Sequence, residues 1–368
     1  MSVIVSISTA VPSNKHKQTD IATFMSDLYQ YSEKDRKRLE TMYAKSGIET
    51  RYSVIPDFSS TRDKRDFFPS SSDLEPFPDI AYRMKYFSEK ALPLCISAIR
   101  DCLKDKIDKH RVSHLITVSC TGLSAPGLDI DIVQYLKLNE NINRTSLNFM
   151  GCYAAVHALK QADYICKSDP LAIVLLVCVE LCTLHFQKLA DPENIMANLL
   201  FADGAAAALV VPDTFAKKNK FGGFRIRKFH SHLALNGKSD MAWKLSPTGF
   251  LMTLSAFIPK IIESGVKSLF DKAIDALELK REEITHWAIH PGGRKILEVI
   301  QKELSLHKED LESSYRVLKH HGNMSSPTIL FVLKELLETK ANLKKRELTF
   351  GVAFGPGLTM ESLILENV

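Results

Sequence analysis

Cys152, in the stretch NFMGCYAAVHALK (148–160), stands between a glycine and the first turn of a predicted helix. A cysteine so placed meets the positive end of the helix dipole, and a nearby imidazole would strengthen the effect, giving a nucleophilic thiolate near neutral pH. Taken alone, a cysteine is more often a small core residue. Two distant residues shift that balance: His290, in EITHWAIHPGG, and Asn323, in LKHHGNMSSPTIL. His290 follows an apolar run that reads as a strand, and the Pro-Gly-Gly after it predicts a tight turn with room for a bulky ligand. Asn323 follows Gly322 as Cys152 follows Gly151. Each by itself would pass for an ordinary loop histidine or turn residue.

The elements that must carry these residues follow from periodicity and turn residues. Residues 20–46 hold one charged helical pattern with Asp20 as its N-cap, and residues 56–80, rich in Pro, Ser and Asp, read as a long surface loop. Then come a helix (83–106, bent by Pro93), a strand (114–119), a helix (127–137), a strand (145–150), a helix (153–167) and a strand (171–179). This alternation predicts an α/β protein with largely parallel sheets. The second half repeats the first: RVSHLITVSCTG (111–122) is echoed by EITHWAIHPGG (283–293), and LNFMGCYAAVHAL (147–159) by LKHHGNMSSPTIL (318–330). His114 and Cys152 are 38 positions apart, His286 and Asn323 37, and the apolar strand 171–179 has its counterpart in ELTFGVAF (347–354). We therefore expect two similar α/β halves, 1–215 with the cysteine and 216–368 with the histidine and asparagine. Gly151-Cys152 and Gly322-Asn323 are then equivalent strand-to-helix junctions, and a pseudo-twofold pairing brings all three residues together.

Composition narrows the class. With 368 residues, 45% hydrophobic and 25% charged, the chain has room for a large core. No apolar run reaches the roughly 18 residues of a membrane span, and the opening MSVIVSISTAVPSNKHKQ lacks the pattern of a signal peptide, so a cytoplasmic protein is expected. The net charge of +5 is too mild to imply nucleic acid. Seven cysteines without metal-site spacing point to free thiols and no structural zinc.

GCYAAVHAL, LLFADGAAAALV, HWAIHPGGRKIL, HHGNMSSPTILFVL and AFGPGLTMESLIL, in that order from 151 to 365, resemble the type III polyketide synthases, the chalcone synthase-like enzymes of the thiolase fold. The resemblance spans essentially the whole chain and is nearest to bacterial-type members. It implies a layered αβαβα structure, a homodimer and an acyltransferase that condenses acyl-CoA starters with malonyl-CoA, with no cofactor beyond the coenzyme A thioesters. Cys152 would carry the starter and growing chain, with His290 and Asn323 beside it as hydrogen-bond donors to the thioester oxygen. Phe201 matches a gating phenylalanine, and Gly355-Pro356-Gly357 matches a loop that shapes the cavity floor. Arg38 and Lys45, with Gly292 and Gly293, match positions that meet coenzyme A; between them Thr41 replaces a basic residue.

The departures from the plant pattern concentrate in the cavity. Cys120, Cys182 and His185 replace threonines, Met252 replaces a second gating phenylalanine, and Trp243 replaces a glycine. Ala125 stands where relatives often have a methionine that reaches into the partner's cavity, and the loop at 353–357 is shorter. A chalcone product is therefore not expected. Two rivals remain at this level. One is a chain-initiating β-ketoacyl synthase III-like enzyme using malonyl-acyl carrier protein; the other is an inactive homologue that only binds. Hydroxymethylglutaryl-CoA synthase fits less well, because no glutamate acid is evident beside the nucleophile.

Overall fold

The computed structural model describes residues 1–339 and 344–368. In the first half, β1 (Ser2–Ala10) leads into a two-stranded ribbon, β2 (Asn14–Lys17) with β3 (Thr50–Ser53), whose arms enclose helices α1 (Gln18–Leu28) and α2 (Glu33–Lys45). The single helix expected over 20–46 is thus two. Gln30 takes a left-handed turn (φ 50°), and Ser32 restarts the helix by accepting a hydrogen bond from the Asp35 amide. Asp20 does not cap; Lys17 holds that position, and Asp20 sits in the first turn. There follow α3 (Ile80–Leu103), which continues through Pro93, then β4 (His114–Ser119), α4 (Leu128–Leu136), β5 (Asn143–Asn148), α5 (Ala154–Ser168), β6 (Val174–Leu181), α6 (Pro192–Leu200), β7 (Asp203–Pro212) and α7 (Asp213–Lys218).

The second half runs β8 (Phe224–Leu233), the hairpin β9 (Met241–Ser246) and β10 (Gly249–Leu254), α8 (Ile258–Asp275), β11 (Ile284–Ile289), α9 (Arg294–Glu303), α10 (Glu312–His321), α11 (Thr328–Thr339), β12 (Leu348–Gly355) and β13 (Thr359–Asn367). Nine strands form one sheet in the order β5-β4-β6-β7-β1-β8-β13-β12-β11. It is parallel only at β5–β4, β4–β6 and β12–β11. The remaining neighbours are antiparallel, which corrects the largely parallel expectation. Between β12 and β13 the reason is local: three residues join them, too few for a parallel crossover.

The pairing of β1 with β8 lies near the middle of the sheet and is confined to Val3 with Arg225 and Ile4 with Phe224. Around it β7 answers β13, β6 answers β12 and β4 answers β11. Both sheet faces are buried. In β6, Val174, Leu176 and Cys178 face the cluster built around α5 and α11, while Leu175, Val177 and Val179 face the one that includes α3. α5 touches strands of both halves, and so does α11; α3 covers β6, β7 and β1, and α8 covers β8 and β13. Helices thus cover the sheet on both faces. α5 fits against the strands because its buried face is mostly small: Ala154, Ala155, Ala158 and Ala162.

Two further expectations are corrected. Residues 56–80 are not simply a surface loop: Phe58, Phe67, Phe68 and Leu74 are buried, and the Asp57 carboxylate gathers the amides of Asp66, Phe67 and Phe68. The aromatic residues supply a core that the abundance of Ser and Pro concealed. Asn323 does not follow a strand either. Leu311, Ser314, Val317 and Leu318 are buried at helical spacing around α10, so Gly322 ends a helix (φ 69°) and Asn323 lies between two helices. Among the described residues no helix is long and apolar enough to cross a membrane.

Candidate functional site

Cys152 is set by a sharp turn. After β5, Phe149 (φ 59°) and Gly151 (φ 77°) turn the chain back into a short 3-10 segment, Gly151–Tyr153, that feeds α5. A Cβ on Gly151 would lie 2.3 Å from the Pro356 ring, so a side chain there would collide with the loop behind it. Gly355 is held as tightly, its would-be Cβ 2.5 Å from the Tyr153 ring. The Gly-Pro-Gly loop therefore backs the cysteine. Pro356 lines the cavity, whereas Gly355 and Gly357 do not.

His290 comes straight off β11, its amide bonded to the Val352 carbonyl, and the Gly292 amide closes a turn onto its own carbonyl. Its side chain is 1% exposed and neither ring nitrogen has a partner among the described residues. Asn323 is fixed by backbone bonds on either side of Phe201, to the Leu200 carbonyl and from the Ala202 amide. Its Oδ1 accepts the Ser325 amide at 2.8 Å, while Nδ2 has only a long 3.5 Å contact to the Gly292 carbonyl. The Cys152 sulfur is 4.0 Å from Asn323 Oδ1. All three residues line one cavity of about 1360 Å³. The helix-to-helix junction at Asn323 therefore delivers its side chain where the repeat required it.

The ionisation differs from the sequence expectation. Burial pushes the Cys152 thiol up to about 11, outweighing the Ser325 and Asn323 side chains, which lower it, and burial pushes His290 down to about 3. Burial thus favours the neutral thiol and the neutral imidazole over the charged pair, and works against the thiolate expected from the helix dipole. Because only the thiolate alkylates, the rate of Cys152 modification by iodoacetamide should climb about tenfold per pH unit from pH 6 to 9 without levelling. A plateau below pH 7.5 would instead reveal a thiolate–imidazolium pair.

The other expected residues fall into three groups. Phe201, Cys120, Cys182, His185, Trp243 and Met252 all line the cavity. His185 is buried and neutral, its Nε2 donating to the Thr121 carbonyl (2.7 Å) and its Nδ1 accepting the Phe250 amide (3.0 Å). It stacks on Phe250 with ring centroids 4.2 Å apart. Trp243 packs against both rings and donates Nε1 to the Cys120 carbonyl at 2.7 Å, so it is both wall and anchor. Lys45, Gly292 and Gly293 also line the cavity, but not Arg38, which lies about two turns before Lys45 on the same helix, ion-paired with Asp35.

Several lining or supporting residues escaped sequence reasoning. Arg294 and Lys295 also line the cavity, on the first turn of α9, where both are ion-paired with Glu298. The buried Arg51 holds the Phe201 carbonyl and Gln18. Glu180 is fully buried, its carboxylate accepting from the Cys120 amide (2.9 Å), Thr121 hydroxyl (2.8 Å) and Ser326 hydroxyl (2.6 Å). A carboxylate at the end of the apolar run VLLVCVEL was its signal in the sequence.

Known proteins match this arrangement along the whole chain. The N-terminal domain of chalcone and stilbene synthases matches residues 1–214 and their C-terminal domain matches 229–368. The chain belongs to that family. It is a type III polyketide synthase, and so an acyltransferase. This polyketide synthase is 30% identical to the alpha-pyrone synthesis polyketide synthase-like Pks18 of Mycobacterium tuberculosis, over 100% of its own length and 92% of the relative's. It is 31% identical to type III polyketide synthase A of Arabidopsis thaliana, over 90% and 84% of the two chains. Among solved structures, PKS-I from the brown alga Ectocarpus siliculosus superposes with a TM-score of 0.92 at 29% identity, covering 100% of this synthase and 98% of that chain. The thiolase-like α/β fold expected from the motifs is the fold observed.

Proposed function

We propose that this type III polyketide synthase takes an acyl group from an acyl-CoA onto Cys152 and lengthens it by repeated decarboxylative condensation with malonyl-CoA. The observation that carries this reading is His290: an imidazole buried with both nitrogens unpartnered, in the same cavity as a thiol and an underused amide. Buried polar groups are almost always paired, so such a set calls for a ligand that pairs it. A thioester carbonyl does so, accepting from an imidazole N–H and from Asn323 Nδ2. Loss of carbon dioxide from malonyl-CoA leaves an enolate whose oxygen these same donors stabilise. The enolate carbon attacks the acyl carbonyl on Cys152, the thiol leaves, and the lengthened chain returns to it. For loading, neutral His290 can accept the thiol proton. As written, the reaction draws on no cofactor beyond the coenzyme A thioesters.

Coenzyme A would lie at the mouth, its backbone along Gly292 and Gly293 and its phosphates near Lys45, Arg294 and Lys295, with Arg38 further out. The cavity walls, with Ile21, Met25, Phe58, Met196 and Ile262, are aliphatic and aromatic, which suits an apolar acyl starter. The relative named for alpha-pyrone synthesis supports closure to a pyrone, with an aromatic ring as the other outcome. We further propose a homodimer joined beside 125–127, where β5 ends the sheet and Leu123 and Ile130 are exposed, in a cytoplasm that keeps all seven thiols reduced.

The test is a series of straight-chain acyl-CoAs supplied with malonyl-CoA and no acyl carrier protein. Extended products are expected; an absolute need for malonyl-acyl carrier protein would overturn the reading in favour of a chain-initiating synthase. In the same assay Trp243→Gly should move the optimum to longer starters or products. The half-buried indole anchors Cys120, so its loss should also destabilise the fold, by less than the roughly 3–5 kcal/mol of a fully buried tryptophan. Melting well below wild type with an unchanged product pattern would show an anchor alone.

A further inference from the structure

The cavity holds a second thiol with its own base. Cys120 lies just beyond β4 on the cavity wall, and its Sγ is 3.3 Å from Glu180 Oε1. Glu180 is in turn oriented by the Cys120 amide and the Thr121 and Ser326 hydroxyls. Nucleophile, base and groups that fix the base are thus all present. The Ser325 hydroxyl lies 3.6 Å from the Cys120 sulfur, and Cys120 and Cys152 line the same cavity. No other cysteine is so placed among the described residues: Cys95, Cys102, Cys166 and Cys178 do not line the cavity, and Cys182 lines it without a carboxylate partner.

We propose that Cys120 is a second acyl-carrying nucleophile, receiving an acyl group from Cys152 by thioester exchange with Glu180 as its base. This rests on the reading of Cys152 as the loading thiol. In the step, the Cys120 sulfur bonds to the acyl carbon while its proton passes to Glu180 Oε1. The bond from that carbon to the Cys152 sulfur then breaks, and the proton held on Glu180 is returned to the departing Cys152 sulfur, leaving Glu180 ionised as before. One thioester replaces another, so no outside reactant is consumed. Cys152 is left free to load again, and the cavity holds two acyl groups at once.

The wild-type enzyme is incubated with excess decanoyl-CoA without malonyl-CoA, quenched in acid, digested with pepsin and mapped by mass spectrometry. The Cys152 peptide should acquire the acyl group first and the Cys120 peptide later, with the load rising from about one to about two per chain. Cys152→Ala should label at neither position, and Glu180→Gln should delay the Cys120 adduct about a hundredfold relative to the Cys152 adduct in the same sample. Labelling confined to Cys152 throughout would overturn the exchange while leaving the loading role intact. Undiminished Cys120 labelling in Cys152→Ala would overturn it too. Labelling at neither residue in the wild type would remove the loading reading itself, and the exchange with it.

Discussion

Cys152→Ala should abolish polyketide formation, by on the order of 10⁴–10⁶-fold, while malonyl-CoA is still decarboxylated at a reduced rate. The asymmetry follows from the division of labour at the site. The acyl chain needs a sulfur to hold it, and the Gly151 turn against Pro356 presents that sulfur to the cavity. The enolate needs only donors, which His290 and Asn323 keep supplying. Coupled assays for carbon dioxide and for extended product separate the two. Loss of both activities in a folded variant would mean that the sulfur also takes part in decarboxylation, and full product yield would remove Cys152 from the reaction.

The second large effect concerns the donors. Asn323→Ala and His290→Ala should each lower the rate of decarboxylation about 10²–10³-fold, roughly 2.7–4 kcal/mol of transition-state stabilisation, with smaller effects on KM for malonyl-CoA. Asn323 Oδ1 is already committed to the Ser325 amide, so Asn323→Asp would place a carboxylate where a donor is required and should be as damaging. Burial holds His290 neutral, with its pKa lowered to about 3, so it is fully neutral well below pH 5. The donor contribution should therefore stay flat from pH 5 to 8. Decarboxylation that falls through pH 6 to 7 as the pH rises would show that the imidazolium, not the imidazole, is the donor.

How far the sequence led can be judged at particular residues. The strand 114–119 was legible to the residue, and α5 to within one, because hydrophobic period and flanking turn residues are local signals. The Cys152, His290 and Asn323 set was legible through the repeat and the motifs, even though α10 replaced the strand expected before Asn323. What depended on distant packing was not. The upward shift of the Cys152 thiol comes from its burial, which its dipole position could not convey. The buried phenylalanines at 58, 67 and 68 sit in a segment whose composition is that of a loop. Lys45 lines the cavity and Arg38 does not, although they share a helix face, because only one end of α2 borders the cavity.

The most direct test of the account as a whole is carbon bookkeeping with malonyl-CoA labelled uniformly in its malonyl group. A single acyl-CoA starter is supplied, and released carbon dioxide is counted against the mass of the product. Every extension should add one labelled two-carbon unit to an intact starter and release one labelled carbon dioxide, with Cys152 carrying the intermediates. Products that keep the malonyl carboxyl carbon, or an acyl-CoA simply hydrolysed without any labelled carbon gained, would contradict it.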